Sequence, residues 1–398
     1  MNYLLLSSSY VTLSDANAIC TRNIALELIN RGHNVSVISN CEKSFHEKKE
    51  ISGIDVYGIQ EGIHSYSLKF AQNKGVIWFY ICRALWACLS IFTYPKSFGD
   101  KRSSEIFALA EKLIVSKKIT HVIAFCHPYE NIIALLKLKS KFGSRIKTIS
   151  YHLDLLQYPN NNNKIVYSIK RNKFLKQFRK EITLLDRILL PENCFEDFKS
   201  FKIIKTGFPI FDKFLDVIPS GYNFSLDTIN VSYIGSFDQY NRNPQYAIKL
   251  LRELSEFIKK DVLLHIWGNA PDNDFIQLLT SFPNVLYHGR IDNKYVNDIY
   301  LKSDFILNIG NKLTYQMLPS KIFQIFATGM PIINIVYHPK DSSLKYFSEY
   351  GNIFNIKAFD SEKPIKELAN FMFNASKLGE ISDFPEFTSS RICGYLEL

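Results

Sequence analysis

Short apolar runs alternate with helical patterns along nearly the whole chain, an order typical of parallel β-sheets connected by crossover helices. In the first half the runs predict strands at Tyr3–Ser7, Val35–Ser39, Thr120–Phe125, Ile146–Tyr151 and Arg187–Leu190. The patterns between them predict helices at Ala18–Arg31, Glu130–Phe142 and Lys164–Leu185. This half therefore indicates a doubly wound α/β domain.

The same alternation starts again near Ile229. It predicts strands at Ile229–Ile234, Val262–Trp267, Val285–His288, Phe305–Ile309 and Ile332–Ile335, and helices at Pro244–Ile258, Asn293–Leu301, Ser320–Ala327 and Glu362–Asn374. Pro and Gly are dense in 207–228, which favours a linker there. We expect domains at 1–206 and 229–378, with a C-terminal segment, 379–398, for which a return to the first domain is one option. Ligands of such sheets bind beyond the carboxyl ends of the strands, so a cleft between the domains is the expected site.

Composition narrows the class of protein. The 398 residues are 46% hydrophobic and 22% charged, which excludes a mostly disordered chain. The seven cysteines include no CxxC pair, so neither a disulfide scaffold nor a zinc site is indicated. The run Met1–Leu6 lacks a cationic flank and predicts a first buried strand instead of a signal peptide. A reduced, cytoplasmic compartment is the simplest interpretation.

Charge is uneven along the chain. Residues 1–206 contain 30 Lys and Arg and 17 Asp and Glu, so this half is strongly basic. Residues 207–398 contain 18 Lys and Arg and 21 Asp and Glu, so the second half is slightly acidic. Lys164–Lys180 is the most basic stretch, with no acid between Asp154 and Glu181. It indicates either a contact with an anionic membrane or a solvated helix face. No nucleic-acid-binding module accompanies this charge, so nucleic acid is not an expected partner.

Gly75–Tyr94 contains twenty residues and one charge, Arg83, a length that could span a bilayer. A central arginine costs roughly 2.5–3.5 kcal/mol on insertion, and the α/β pattern continues on both sides. A buried or cleft-lining helix and an interfacial helix are the other two interpretations. Trp78 and Trp86 lie near one helical face, as an interfacial helix would place them.

The most informative segment is Leu318–Ile335, LPSKIFQIFATGMPIINI. Ser320 is in the position of an N-cap, and Gly329 and Pro331 follow the predicted helix. A helix that begins at the carboxyl edge of a sheet offers free N–H groups to a phosphate, and Lys321 adds a cation. The segment therefore indicates a phosphate site.

This segment resembles the donor-nucleotide motif of GT-B glycosyltransferases, specifically the retaining group called family 4, in which PSK(L/I)FEYMA(T/A)GKPII is a common form. Other segments agree in order and spacing: Val231–Gly235, His265–Gly268, Asn284–Gly289, Asp298–Tyr300 and Lys302–Asp304. The resemblance covers 229–340 well and 1–200 in outline. It implies a GT-B fold of two Rossmann-like, doubly wound parallel-sheet domains that face a cleft.

The resemblance also implies donor-binding residues: Gly235, Ser236, Gln316, Leu318, Pro319, Ser320 and Gln324. The family has glutamates where Gln316 and Gln324 stand, and these contact the donor sugar and the ribose. Glutamine keeps hydrogen bonding but loses the assistance of the charge. Ser236 replaces one of two cations that neutralise the diphosphate, Arg242 keeps the other, and Lys321 is a candidate for the missing charge.

In the N-terminal half, His127 follows a predicted strand and resembles the histidine that lies beside the transferred sugar in the family. A structural, helix-capping role is its alternative. His152 and Asp154 end the next strand and are candidates for the acceptor side, unless they only close a loop. Asp15 and Asn17 are similar candidates that could instead cap the first helix. The expected catalytic residues are thus His127, Arg242 and Lys321.

These resemblances predict a retaining, nucleotide-sugar-dependent hexosyltransferase that moves a sugar, with UDP as the expected carrier, to a carbohydrate or lipid-linked acceptor. We expect no cofactor and no metal, and envelope or exopolysaccharide biosynthesis at the inner face of the cell membrane. One alternative is a catalytically degenerate GT-B protein that serves as a binding or scaffold partner of an active glycosyltransferase. A nucleotide-sugar epimerase is another.

Overall fold

The computed structural model describes residues 1–7, 10–11, 16–41, 45–60, 76–95, 101–126, 128–153, 164–191, 200–210, 217–315, 318–319, 321–360, 362–375 and 384–397. Two compact units divide the chain. Unit 1 comprises Met1–Ile210 with Pro385–Leu398, and unit 2 comprises Phe211–Phe384. The stretch 207–228, which the sequence predicts as a linker, is thus divided between the units after Ile210.

The described part of unit 1 contains an eight-stranded sheet. Its strands are β1 (Asn2–Leu6), β2 (Asn34–Cys41), β3 (Phe45–Ile51), β4 (Ile54–Gln60), β5 (His121–Phe125), β6 (Lys147–Tyr151), β7 (Arg187–Pro191) and β8 (Ile203–Thr206). Its first five helices are α1 (Ala16–Asn30), α2 (Val76–Thr93), α3 (Arg102–Ser116), α4 (Glu130–Phe142) and α5 (Lys164–Leu184). A 3-10 turn at Gly143–Arg145 follows α4.

The strand order of this sheet is β3-β4-β2-β1-β5-β6-β7-β8. All neighbours are parallel except β3 and β4, which form an antiparallel hairpin at the edge. The sequence patterns do not predict this hairpin, and the rest of the sheet is parallel as expected. Its turn is Ser52-Gly53, and both residues have positive φ (53° and 76°), the backbone that a two-residue hairpin turn requires.

Burial explains why the central strands form where the apolar runs predict them. Every residue of β5 is buried, and the inward faces of α3 and α4 pack on the same core through residues such as Leu113 and Leu135. A strand covered by helices on both faces is apolar at every position, so it appears in the sequence as a continuous run.

The described part of unit 2 contains a second, six-stranded sheet. Its strands are β9 (Ile229–Ile234), β10 (Val262–Trp267), β11 (Val285–Gly289), β12 (Phe305–Ile309), β13 (Ile332–Val336) and β14 (Ile353–Lys357). Its helices are α6 (Gln245–Ile258), α7 (Asn273–Thr280), α8 (Val296–Lys302), α9 (Lys321–Phe326), α10 (Leu344–Tyr350) and α11 (Ile365–Asn374). A 3-10 turn, Asn293–Tyr295, leads directly into α8.

The order of the second sheet is β11-β10-β9-β12-β13-β14, and all of its strand pairs are parallel. This is the Rossmann-like order, in which the first strand of the domain lies at the centre. Apolar residues of α6, including Leu251 and Leu254, pack on the sheet because they recur at helical spacing. Both units are thus doubly wound α/β structures, as the sequence predicts.

The chain ends in unit 1 with the 3-10 turn Pro385–Phe387 and the helix α12 (Ser389–Glu397). Glu397 accepts hydrogen bonds from Arg31 Nη1 (2.7 Å) and pairs with His33 Nε2 (2.8 Å). These contacts attach α12 to the end of α1. The sequence patterns do not predict α12.

Within the apolar segment 75–94, Val76–Thr93 forms α2, and its Trp78 and Leu85 are exposed. The side chains of Arg83 and Trp86 lie outside the described residues. None of the helices that the structure describes is long and apolar enough to cross a bilayer. The exposed apolar side chains do not fit a fully buried helix, and the cleft-lining and interfacial interpretations both stay predictions.

Candidate functional site

The topology of unit 2 places two loops side by side. β9 and β12 are neighbours in the sheet, but the chain continues from β9 to β10 on one side and from β12 to β13 on the other. Open α/β sheets bind ligands at the carboxyl ends of the strands where the order diverges in this way. Gly235 follows β9 and Gly310 follows β12, so these two positions mark the candidate site.

A close backbone approach shapes the end of β9. Gly235 donates its N–H to the carbonyl of Trp267 at 2.9 Å. A Cβ at Gly268 would lie 1.8 Å from the carbonyl oxygen of Gly235, and Gly268 has φ +156°. Only glycine fits this contact, which explains the glycine after β10 and fixes the position of the loop after β9.

Hydrogen bonds hold the loop after β9 against the loop after β12. Asp238 Oδ1 accepts from the backbone N–H groups of Tyr240 (2.7 Å) and Asn241 (2.6 Å). The Asn241 carbonyl accepts from Lys312 N–H at 2.9 Å, and Asn241 Oδ1 accepts from Leu313 N–H at 2.8 Å. The two loops therefore form one ordered edge.

Arg242 is held by this edge. Its Nε donates to Asn311 Oδ1 at 2.7 Å, and Asn311 is buried. The Nη atoms of Arg242 have no hydrogen-bond partner among the described residues. Because Asn311 fixes the guanidinium through Nε, the two terminal nitrogens are oriented and can bind an anion with two parallel hydrogen bonds.

Lys321 reaches the same edge from the start of α9. Its Nζ donates to the carbonyl of Ile234, the last residue of β9, at 3.3 Å. Burial and, second, the positive charge of Arg242 lower the pKa of Lys321 to about 8. Two cations are thus held close enough to repel each other, an arrangement that an anion between them would relieve.

A buried carboxyl group, Asp341, lies near Arg242. Its Oδ1 accepts from the N–H (2.9 Å) and the hydroxyl (2.6 Å) of Ser343, and its Oδ2 would lie 2.9 Å from a Cβ at Gly310. Burial raises the pKa of Asp341 although Ser343, His338 and Arg242 oppose the shift. The sequence patterns do not single out Asp341, because it follows a strand by five residues in an ordinary polar loop.

The predicted donor residues differ in where the structure places them. Gln316 and Ser320 lie outside the described residues, and Leu318 and Pro319 are half-buried before α9. Ser236 is exposed, and its carbonyl accepts from the Tyr233 hydroxyl at 2.9 Å. Gln324 Nε2 donates to Asn297 Oδ1 at 3.0 Å, which ties α9 to α8. The ribose contact expected of Gln324 stays a prediction.

The helix predicted at Ser320–Ala327 is described over six residues, Lys321–Phe326, and Ser320 lies outside the described residues. Few aligned peptide dipoles contribute over so short a helix, so the helix end is a weak argument for a phosphate. The case for an anion site therefore rests on the side chains of Arg242 and Lys321.

The predicted acceptor side of unit 1 is described only in part. His127, Asp15 and Asp154 lie outside the described residues. Asn17 Nδ2 donates to the carbonyl of Cys126 at 3.5 Å, which connects α1 to the end of β5. An acceptor contact of Asn17 stays a prediction.

His152 is the one strand-end histidine of unit 1 that the structure describes, and it is fully buried after β6. Its Nε2 lies 2.8 Å from Glu181 Oε2, and the Tyr129 hydroxyl donates to Glu181 Oε1. The rings of Phe174 and Phe178 pack edge-on against the imidazole. These partners come from α5 and from the turn before α4, and the sequence alone does not connect them. These contacts fix the imidazole through Nε2, while its Nδ1 is buried without a hydrogen-bond partner among the described residues. The acceptor-side role of His152 stays a prediction.

Chemically, the edge of unit 2 can bind a polyanion. It offers an oriented guanidinium, an ammonium and rigid loops, and charge-assisted hydrogen bonds from such groups are the strong ones. Among the residues that the structure describes, no group of three or more His, Cys, Asp or Glu could hold a metal ion. A phosphate or diphosphate is the anion that two converging cations fit best.

Comparisons with known proteins identify the fold. No protein-family model and no curated protein match the chain. Among solved structures, TarM superposes with a TM-score of 0.60 at 9% identity over 100% of this chain and 98% of that one. The putative UDP-N-acetylglucosamine 2-epimerase of Listeria monocytogenes superposes with a TM-score of 0.57 at 12% identity, over 100% of this chain and 95% of that one. The UDP-GlcNAc 2-epimerase of Methanocaldococcus jannaschii superposes with a TM-score of 0.56 at 10% identity, over 100% of this chain and 99% of that one.

The chain therefore has the GT-B glycosyltransferase-like fold, and the fold that the sequence resemblance implies is confirmed. Identities of 9–12% show the fold alone. The activity has to be argued from the residues of the site.

Proposed function

We propose that the protein binds the diphosphate of a nucleotide-sugar at the edge formed by Arg242 and Lys321 and transfers the sugar to a carbohydrate or lipid-linked acceptor. The observation that carries the proposal is the convergence of these two cations at the point where the strand order of unit 2 diverges. The nucleotide is expected to be UDP, and the transfer is expected to retain the anomeric configuration.

The chemistry of sugar transfer explains why two cations would be needed. When the bond from the anomeric carbon to the diphosphate breaks, negative charge develops on the departing oxygen. Fixed positive groups stabilise that charge without reorganising, and such electrostatic terms are usually the largest in catalysis. Arg242 would bind the diphosphate through its terminal nitrogens, and Lys321 would neutralise a second oxygen. Serine at 236 leaves these two as the cations of the proposed site.

A second candidate is epimerisation of a nucleotide-sugar. Two of the structures with similar folds are described as UDP-GlcNAc 2-epimerases, with TM-scores of 0.57 and 0.56. An enzyme for either reaction would bind the diphosphate of a nucleotide-sugar, so the cations of unit 2 are compatible with sugar transfer and with epimerisation. The two differ in whether an acceptor is needed.

A thermal-shift panel tests the binding step. UDP, GDP, ADP and TDP, each free and as nucleotide-sugar, are added to the wild type, Arg242→Ala, Lys321→Ala and Arg252→Ala. The Arg252→Ala variant removes the same charge from an exposed ion pair of α6 and serves as the matched control. A ligand at ~100-fold its dissociation constant adds ~2.7 kcal/mol to stability, so a true donor should raise the melting temperature measurably.

The expected result is stabilisation of the wild type and of Arg252→Ala by one nucleotide, with little shift in the two site variants. Equal shifts in all four proteins would contradict the proposed site. Incubation of the nucleotide-sugar so identified, with and without acceptor mixtures, then separates the reactions. Conversion without an acceptor indicates epimerisation, and binding without any conversion indicates the scaffold alternative.

A further inference from the structure

The helix α2 presents an apolar stripe to solvent. The stripe consists of four residues at spacings of three, four and seven positions, which places them on one helical face: Trp78, Ile81, Leu85 and Phe92. They are exposed by 61%, 46%, 58% and 75%. An apolar stripe of this kind normally faces a core, and on the surface of a protein such a patch marks an interaction site.

The helix α5 lies beside this stripe and supplies cations. Lys173 Nζ donates to the carbonyls of Ile91 (2.7 Å) and Phe92 (2.6 Å) at the end of α2, and it lies 5.9 Å from the centre of the Phe92 ring. Lys170 lies 5.5 Å from the Tyr94 ring centre. The basic helix is thus attached to the end of the apolar one.

Helical spacing extends the cationic face along α5. Ile169, Lys173, Lys176 and Lys180 follow one another by four, three and four residues, so they form a single stripe. Lys176, Lys180 and Ile169 are exposed. Because Lys173 of this stripe contacts the end of α2, the exposed lysines lie on the side of α5 that meets α2 at Phe92.

Among the described residues, neither of these two helices presents an acid to solvent. The sequence of α2 contains no Asp or Glu. The single acid of α5 is Glu181, and it is buried against His152 and Tyr129. A second copy of this chain would bring two sets of cations together and be repelled, whereas an anionic surface complements both the charge and the apolar stripe.

We propose that the face formed by α2 and α5 docks onto an anionic lipid surface. Trp78, Leu85 and Phe92 enter the boundary between headgroups and acyl chains, and Lys176 and Lys180 contact the headgroup phosphates. Aromatic and aliphatic side chains with flanking lysines are the composition of helices that lie in this boundary. The docking is independent of the proposed sugar transfer, and it would hold unit 1 beside a lipid-linked acceptor.

Vesicle co-sedimentation of the full chain tests the proposal. The vesicles contain phosphatidylcholine alone or phosphatidylcholine with phosphatidylglycerol, at low and at high salt. The variants are Trp78→Ser with Leu85→Ser, and Lys176→Gln with Lys180→Gln. Val115→Ser with Lys112→Gln removes one exposed apolar residue and one exposed cation from α3 and is the matched control.

We expect binding to the anionic vesicles that weakens with salt. Each lysine near such a surface contributes about a fivefold factor, so the lysine pair should lose about tenfold or more in affinity, and the control should bind like the wild type. Absence of binding to anionic vesicles, or equal binding to neutral ones, would overturn the proposal. So would a dimer of the wild type that Trp78→Ser with Leu85→Ser dissolves, since a second copy would then occupy the face. The nucleotide-induced thermal shift of the same variants reports on unit 2 separately.

Discussion

The carboxyl edges of the two sheets use polar residues in opposite ways. In unit 2, Arg242 and Lys321 are oriented by neutral partners, the Asn311 amide and the Ile234 carbonyl. In unit 1, His152 is paired with a buried carboxyl group, Glu181. Neither cation of the first edge forms an ion pair among the described residues, although Asp341 lies near Arg242. At the second edge, His152 Nε2 is paired with the Glu181 carboxyl group.

The difference teaches how to separate a binding site from a structural network. A polar residue after a strand has the same appearance in both halves of the sequence. A binding residue and a structural residue differ in whether an element distant in sequence supplies a hydrogen-bond or ionic partner for the polar side chain. Lys321 has no counter-ion among the described residues, and this leaves electrostatic energy for a ligand to gain. His152 Nε2 has a carboxyl partner, Glu181, and the ring is packed between aromatic side chains, so these contacts contribute to folding, although Nδ1 is buried without a hydrogen-bond partner among the described residues.

The largest expected effect comes from breaking the network of unit 1. Glu181→Ala leaves the Tyr129 hydroxyl and His152 Nε2 buried without their partner, and we expect a loss of about 3–5 kcal/mol in the free energy of unfolding. Urea denaturation measures it. Glu181→Gln should lose less, because its amide oxygen still accepts one hydrogen bond.

Glu105→Ala removes an exposed carboxylate from the same unit and should change stability by less than about 0.5 kcal/mol. The nucleotide-induced stabilisation of the folded Glu181→Gln protein should equal that of the wild type. If Glu181→Gln instead keeps full stability and loses nucleotide binding, then the His152–Glu181 pair of unit 1 takes part in binding, which contradicts the contrast between the two edges.

A smaller effect is expected from each cation of unit 2. Arg242→Ala and Lys321→Ala each remove charged hydrogen bonds that are worth about 1.5–3 kcal/mol, so the dissociation constant of UDP should rise by roughly 10- to 100-fold. Calorimetric titration measures it. Lys321→Ala should also not lower the stability of the unliganded protein, because it removes a repulsion. Loss of stability without loss of affinity would give Lys321 a structural role like that of His152.

The pH dependence of binding sharpens the same contrast. The pKa of free Lys321 is about 8, and a bound diphosphate favours the charged form, so the pKa rises in the complex. Affinity for UDP should be constant from pH 7 to about 8 and fall about tenfold for each further unit. The terminal phosphate, with its second pKa near ~6, is already ionised there. Titration of Lys321→Arg should give a flat profile, and an equally steep profile in that variant would assign the titration to another group.

The smallest expected effect concerns Gln324. Its amide donates to Asn297, and a glutamate at this position would lose that donor while adding charge assistance toward a ribose hydroxyl. We expect Gln324→Glu to change the affinity for UDP by only a few-fold. Dissociation constants of the two proteins, measured side by side, test this. A gain of a hundredfold would indicate that the wild-type site is degenerate, as the scaffold alternative requires.

Much of the fold is predictable from the sequence because buried parallel strands are continuous apolar runs. Ile229–Ile234, Val262–Trp267 and Phe305–Ile309 have the predicted bounds. The edge elements are less predictable. The strand Phe45–Ile51 is rich in charged residues, and β14 is partly exposed, so neither has the apolar pattern of a central strand.

The charged residues of the candidate site can be predicted from the sequence, but the hydrogen-bond partners that orient them cannot. The resemblance to the donor motif names Arg242 and Lys321 as candidates, but Asn311 is an amide in a loop, which by itself indicates only a turn. Glu181 is separated from His152 by 29 residues, and nothing in the spacing connects them. Partners of this kind are set by tertiary packing.

Hydrogen–deuterium exchange of the full chain, with and without UDP, tests the central claim most directly. The predicted result is protection of the backbone at 235–243, 310–314 and 321–326 in unit 2, and no change at 147–153 or 174–184 in unit 1. The protection should disappear in Arg242→Ala with Lys321→Ala. Protection confined to the end of β6 around His152, or an unchanged pattern at saturating UDP, would contradict the claim that the cationic edge of unit 2 is the nucleotide site.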